Sequence, residues 1–331
     1  MTTFKEIRGT AIQVVSSDPS NPETGQIWYN SSSGKLKGYA LVATNSWASG
    51  GNLGTARYNL AGSGTQTAAV IFGGFTPFPG AKTGATELYN GTSWSSNPTS
   101  MGTPRYQYAA SGTQTAALAF GGWAPGASTA TEKFNGSTFS SSGNINTGRN
   151  MLAGCGTQTS TLAFGGSPDG GTTQSSASES FNGTSWTNTP SLNTARGTLG
   201  GAGASNTSAI AFGGSPVSQG TTTATESYNG TAWTTVNSLN TARRFIMGAG
   251  TQTAALGFGG DTGAPAYTNQ SATELWNGTS WTSNPTGLAT ARGTGAGIGT
   301  QGLGLCAGGG PGSVSEEWTG SNLTTRTITV S

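Results

Sequence analysis

A Gly-Gly doublet, preceded by Phe in five of its six copies, begins at Gly73, Gly121, Gly165, Gly213, Gly259 and Gly308, at intervals of 48, 44, 48, 46 and 49 residues. An arginine recurs ahead of each doublet, at Arg57, Arg105, Arg149, Arg196, Arg243 and Arg292. Between arginine and doublet stands Gly-Thr-Gln-Thr, at 64–67, 112–115, 156–159 and 250–253. The fourth copy degrades it to Ala204-Ser-Asn-Thr207, and the sixth keeps Gly299-Thr-Gln301. After the doublet comes Ala-Thr-Glu-x-aromatic-Asn-Gly-Thr-Ser-Trp, clearest at 85–94 and 272–281. Each unit is too short to bury an apolar face alone, so the copies must stack on one another.

Each copy divides into four short strands. In the first copy these follow Arg57, follow the Gly-Thr-Gln-Thr turn at Ala68–Phe72, occupy Ala85–Tyr89, and run through Trp94. Asn90-Gly91 reads as a type I′ hairpin turn into the fourth strand. No stretch shows a sustained helical period. Four strands in 44–49 residues is the period of a β-propeller blade, so an all-β propeller is expected. Blades converge on an axis, and the first two strands are accordingly rich in Ala and Gly. They diverge outward, where bulk is needed. The third strand supplies it at Tyr89, Phe134, Phe181, Tyr228, Trp276 and Trp318. The fourth does so at Trp94, Phe139, Trp186, Trp233, Trp281 and, in copy six, Leu323.

Composition narrows function. Leu, Ile, Val and Phe make about 14% of the 331 residues, a level at which disorder is suspected. The net charge of only +2 and the 29 aromatic residues argue instead for an ordered chain of small residues and rings. Histidine is absent, which removes His-based catalysis and His metal sites. With 8% charged residues there is no basic footprint for nucleic acid. No apolar run approaches a membrane span, and Met1-Thr-Thr-Phe-Lys-Glu-Ile-Arg8 lacks the apolar core of a signal peptide, so neither membrane insertion nor Sec-type export is expected. Cys155 and Cys306 fall in strand positions and read as small buried hydrophobes.

Residues 1–50 lack the doublet but hold four strand-like runs, at 11–15, 26–29, 35–42 and 45–47. Trp47 lies ten residues before Arg57, the spacing that separates Phe139 from Arg149 and Trp186 from Arg196. Trp47 therefore takes the fourth-strand position of a blade preceding copy one. The expectation is seven four-stranded blades: a divergent N-terminal blade in 1–50, then repeats over 51–100, 101–145, 146–191, 192–238, 239–287 and 288–331. The tail 324–330 alternates like a strand and is expected to help close the ring. The alternative is six blades with 1–50 as a separate arm.

Over roughly residues 51–323 the chain resembles the kelch-repeat family: an apolar second strand ending in Gly-Gly, then the Tyr and Trp, then a loop leading to Arg. Its aromatic-to-Trp spacing of five, Tyr89 to Trp94, is shorter than the kelch pattern. The segment Glu23-Thr-Gly-Gln-Ile-Trp-Tyr-Asn-Ser-Ser-Ser-Gly-Lys-Leu-Lys-Gly-Tyr39 resembles a short element of bacteriophage tail and fibre proteins. Together these resemblances imply a virion protein of a tailed phage, extracellular after lysis.

Half the charges belong to the repeat. Glu87, Glu132, Glu179, Glu226, Glu274 and Glu316 match the six arginines, and each Arg and Glu is expected to make a structural, charge-assisted bond joining blades or anchoring the loop before the first strand. Asn90, Asn135, Asn182, Asn229 and Asn277 begin glycosylation-like triplets, but turn geometry explains each. Paired catalytic carboxylates lie within about 10 Å of each other; Asp18, Glu23, Asp169 and Asp261 fall in different blades or loops, with Glu6 and Glu317 near the ends. No enzyme, metal or cofactor is expected.

The loops between second and third strands, at 75–84, 123–129, 167–176, 215–223, 261–271 and 310–313, vary in length and chemistry. With the blade-to-blade loops they crowd one face, opposite the repeated turns. Variable insertions on one face of a repeat protein mark its binding surface, which makes Phe75, Phe78, Trp123, Asp169, Asp261 and Tyr267 the candidate ligand contacts. The expected role is a non-enzymatic, tail-associated or capsid-decorating phage module binding a host-surface glycan or protein. A purely structural virion component docking on other tail proteins, and a bacterial surface adhesin or lectin, are the alternatives.

Overall fold

Short runs of small and apolar residues between glycine-rich turns leave no length for a helix. In the computed structural model, which describes residues 12–23, 25–42, 45–77, 79–310 and 312–327, every regular element is a strand. The strands form seven four-stranded sheets. They belong to two compact units: residues 46–319, and a smaller one made of the segments before 46 and after 319.

Within residues 46–319, six sheets are blades. In blade one, Ala61–Thr65, Ala68–Phe72, Thr86–Tyr89 and Trp94–Asn97 pair in order, all antiparallel. The first strands of successive blades stand side by side around an axis, and that of blade six (Ala296–Gly299) returns to that of blade one. They have to be small: a Cβ added at Gly297 would come 2.5 Å from the Gly248 carbonyl oxygen of the neighbouring first strand.

Three kinds of repeated bond join neighbouring blades, and each kind also joins blade six to blade one. The second glycine of the doublet donates its N–H to the carbonyl of the next blade's arginine, from Gly74 to Arg105 (3.0 Å) and finally from Gly309 to Arg57 (3.0 Å). Gly73 and Gly74 hold φ of +61° and +96°, and a Cβ on Gly73 would come 2.9 Å from the Arg105 carbonyl oxygen, so the doublet is the seat for that carbonyl. The glutamine of Gly-Thr-Gln-Thr reaches back to the preceding blade, to two carbonyls in most copies: Gln114 to Ala69 and Tyr89 (2.9 and 2.7 Å), Gln66 to Gly304 and Trp318 (3.0 and 2.7 Å), while Gln252 takes the Tyr228 carbonyl and the Ser227 hydroxyl. In the degraded fourth copy the shorter Asn206 makes one such bond, to Phe181, at 3.4 Å.

The third joint is the fourth-strand tryptophan, whose Nε1 donates to the hydroxyl that opens the preceding blade's third strand. Trp186 bonds Thr131, Trp233 bonds Ser178, Trp281 bonds Thr225 and Trp94 bonds Ser315, at 3.1–3.2 Å. Blade two carries Phe139 instead, and the Thr86 hydroxyl it faces is buried without a partner. Phe139→Trp is expected to supply that bond and raise the unfolding free energy by about 1 kcal/mol. A lower midpoint in urea would show that the interface between blades one and two cannot admit an indole.

The ring thus takes six of the seven sheets, and two placements are corrected. Trp47 sits on Ser46–Ser49, which pairs antiparallel with Ser315–Thr319 as the fourth strand of blade six. Its Nε1 donates to Thr273 of blade five at 2.9 Å, as the fourth strand of a sixth blade must. Leu323 does not complete that blade; it lies on Asn322–Thr327, paired with Lys35–Val42 in the smaller unit. The spacing from Trp47 to Arg57 misled because, in a closed ring, the blade preceding the first is the last. The tail to Thr327 therefore forms a strand outside the ring, and 328–331 lie outside the described residues, as do 1–11.

The smaller unit is one sheet, Gln13–Val15, Ile27–Asn30, Lys35–Val42 and Asn322–Thr327, whose first pair is parallel. Asp18 organises it, accepting from the buried Trp28 Nε1 (3.1 Å), from Asn30 Nδ2 (2.7 Å) and from the Lys37 ammonium (2.7 Å). These bonds, that to Lys37 foremost, hold its pKa down at about 2.

The Asn-Gly turns also differ from expectation. Only the glycine takes positive φ (Gly91, +90°), and the connection is a four-residue loop, 90–93. Asn90 Oδ1 accepts the amides of Thr92 and Ser93, both at 2.9 Å, so asparagine is selected as an acceptor rather than for a left-handed backbone.

Each repeat arginine is fully buried and ion-paired to the glutamate of its own blade, from Arg57–Glu87 (2.5 Å) through Arg105–Glu132, Arg149–Glu179, Arg196–Glu226 and Arg243–Glu274 to Arg292–Glu316 (2.8 Å). The glutamate also gathers amides of the loop before the first strand, as Glu87 does from Gly54 (2.6 Å) and Thr55 (3.3 Å). The pairs anchor that loop rather than ring a channel with charge. Cys155 and Cys306 are buried in inner strands, where burial raises both thiol pKa values, that of Cys155 to about 12.

Candidate functional site

In five of the six copies the residue after the repeat arginine and the residue after the doublet meet in an isolated bridge: Tyr58 with Phe75, Tyr106 with Trp123, Asn150 with Ser167, Gly197 with Ser215, and Arg244 with Asp261. This puts the blade-to-blade loops and the second-to-third-strand loops on one face. One backbone position therefore carries two aromatic pairs, two polar pairs and one ion pair in turn around the ring.

The next residue inward is left-handed in all six blades: Asn59, Gln107, Met151, Thr198, Phe245 and Thr294, with φ from +50° to +63°. Such a backbone is uncommon for Met and Phe and strained for Thr. It is held by hydrogen bonds that pass around the axis, Phe245 to Thr198, Thr198 to Met151, Met151 to Gln107, Gln107 to Asn59 and Asn59 to Thr294, at 2.7–2.9 Å. These six residues form the mouth of a narrow axial cavity of about 150 Å³.

The candidate contacts fall in different surroundings. The Phe75 ring lies between Tyr58 and Tyr106, with centroids at 5.8 and 5.4 Å, and so links blades one and two. Trp123 is half-buried, its ring edge over Gly170, where an added Cβ would stand 3.1 Å away. Asp169 folds its own loop: its Oδ1 accepts from Thr173 N (2.8 Å), Ser167 Oγ (2.9 Å) and Thr172 N (3.1 Å), and its pKa is lowered to about 2, by the Thr173 side chain foremost and then by these bonds. Phe78 lies outside the described residues.

Asp261 and Tyr267 come together, on an arginine that sequence reasoning did not single out. Asp261 Oδ1 accepts from Arg244 Nε at 2.7 Å and from the Gly263 amide at 2.7 Å. The guanidinium carbon lies 5.0 Å from the Tyr267 ring centroid and 5.2 Å from that of Phe245. The Tyr267 hydroxyl donates to Gln219 Oε1, and Tyr267, with 46% of its surface exposed, is the most open aromatic of the candidates described. Arg244, Phe245, Gln219 and Gln174 line a cavity of about 230 Å³ formed by blades three, four and five. Arg244 was legible only by register: it follows a repeat arginine at the position where the other copies place Tyr, Asn or Gly.

No protein-family model matches the chain, and comparison with curated protein sequences finds no match. Among the described residues, no helix is long and apolar enough to cross a membrane.

Proposed function

We propose that the chain is a non-enzymatic recognition module of a tailed-phage particle, binding a host-surface glycan or protein through its variable face. The observation that carries this reading is the bridge position itself. The core ion pairs, the inter-blade glutamines and the turns opposite are repeated, while the bridge pairs on this face change from aromatic to polar to charged. A solvent-facing position under no demand beyond solubility has no use for Tyr58, Phe75, Tyr106 and half-buried Trp123 clustered across two blades. The kelch-like copies and the tail-fibre-like element at 23–39 support the phage assignment.

A docking role within the particle is favoured by a separate observation. In the smaller unit, Val14 (66% exposed) and Tyr29 (39%) stand opposite one another in the register of an edge strand, beside exposed Ile12. Such a patch suits a contact with another tail protein.

The test is binding of purified protein to a glycan array and to intact bacterial cells. Saturable binding is expected, with loss when 123–129 or 261–271 is replaced by a Gly-Ser linker. Replacing the opposite-face loop 182–185 is expected to change nothing. Trp123→Ala is expected to fold and to bind at least several-fold more weakly. Absence of any binding at micromolar protein would transfer the role to particle structure alone.

A further inference from the structure

The cavity beside Arg244 has more donors and acceptors than the protein uses. Arg244 spends Nε on Asp261, while Nη1 and Nη2 have no partner among the described residues. The guanidinium cannot swing freely, because it is bracketed by the Phe245 and Tyr267 rings and its side chain is only 13% exposed. Lys82, the other cation of this face, is already committed, giving its ammonium to the Ala124 carbonyl at 2.6 Å. Across the cavity, Gln174 donates its Nε2 to the Gly171 carbonyl at 2.8 Å, with its Oε1 packed against Gly197 and closed to solvent. Ser218, Thr172 and Ser215 add hydroxyls, and Met151 and Phe245 an apolar wall.

We propose that this cavity is a subsite for one acidic sugar unit, a uronic acid within a surface polysaccharide. The proposal rests on the reading of the variable face as a recognition surface and names what part of it takes. A pre-oriented Nη1/Nη2 pair matches a carboxylate in bidentate fashion. The hydroxyls of Ser218 and Thr172 on the same cavity offer partners to the hydroxyls of a sugar ring. A volume of about 230 Å³ lies below the ~300–1,000 Å³ of sites for larger ligands and suits a single ring. Gln219 and Tyr267, joined by their side chains, both hold left-handed backbones (φ +65° and +48°), conformations that concentrate at ligand clamps.

The experiment is a titration of the protein with a galacturonate trisaccharide and, separately, a neutral galactose trisaccharide, followed by calorimetry. The acidic oligomer is expected to bind at least tenfold more tightly, with Arg244→Gln removing that preference and Arg244→Lys restoring only part of it. Tyr267→Ala, which removes an exposed ring that brackets the guanidinium, is expected to weaken the acidic oligomer several-fold while leaving the thermal midpoint unchanged; it tests the cavity independently should Arg244→Gln fail to fold. Equal affinity for both sugars, with binding still lost on replacing 123–129, would overturn the subsite and leave the recognition face standing. Binding of neither sugar, alongside binding to cells, would overturn the acidic-sugar assignment alone. A triglutamate peptide that binds more tightly than the uronate would do the same, and would assign the cavity to an acidic protein segment.

Discussion

Replacing Glu274 by Ala is expected to cost about 3–5 kcal/mol of folding free energy, a large share of the ~5–15 kcal/mol that holds a folded protein together. Arg243 is wholly shielded from water and reaches Glu274 Oε1 at 2.7 Å. Its Nη1 donates to the carbonyls of Gly259 and Ala272, both at 2.8 Å, and its Nε is buried with no partner. Burial already pushes the arginine pKa below its usual value, and the glutamate is the charge that opposes this. Without it an uncompensated cation remains in the core, the Asn240 amide (2.7 Å) loses its acceptor, and Asn240 Nδ2 loses one of two. The double variant Arg243→Met/Glu274→Leu is expected to recover part of the loss, since an apolar pair avoids the charge penalty but strands two carbonyls. Urea unfolding of both variants checks this. A single-variant cost below 1 kcal/mol would mean that the pair does not hold the blade's entry loop.

Trp47→Ala is expected to cost about 3–5 kcal/mol, as for other large aromatic truncations. The indole packs on Phe258 and Trp318, with centroids at 4.8 and 5.5 Å, and its loss would leave Thr273 Oγ1 in the state of Thr86. The consequence differs from that at Trp233, 6% exposed in blade four. There the fourth strand follows the third through a short loop, whereas Ser46–Ser49 reaches blade six from the other end of the repeat array. Hydrogen exchange should therefore show the amides of Ser315–Thr319 losing protection before those of any other third strand. Unchanged exchange there, with an unchanged midpoint, would remove Ser46–Ser49 from its role in closing the ring.

What the amino-acid order revealed was whatever a single blade decides for itself. Strand positions, the Arg–Glu partners and the need for Ala and Gly near the axis all follow from patterns inside 44–49 residues. What it hid was whatever depends on a neighbour. Gln66, Gln114 and Gln158 looked like turn residues because the carbonyls they hold belong to another blade. Trp47 looked like the fourth strand of a seventh, N-terminal blade because the same loop leads to the same arginine in either case. Among candidate contacts, Asp169 was chosen as a loop acid and proves to cap its own loop. Arg244 escaped because it follows Arg243 directly and reads as part of the repeat, although only Arg243 is the repeat residue. Variation at fixed register, not loop position, was the better signal.

The six left-handed residues at the mouth of the axis have a further consequence. In the five amide-to-carbonyl links from Phe245 round to Thr294, the peptide dipoles run head to tail around the axis rather than along it. A helix end gathers such dipoles into a half-charge that attracts ions; a circulating set sums to almost nothing on the axis. The side chains that remain there, Asn, Gln, Met, Thr, Phe and Thr, carry no charge. The centre of the face is electrically quiet, and any charged partner is sorted at its periphery.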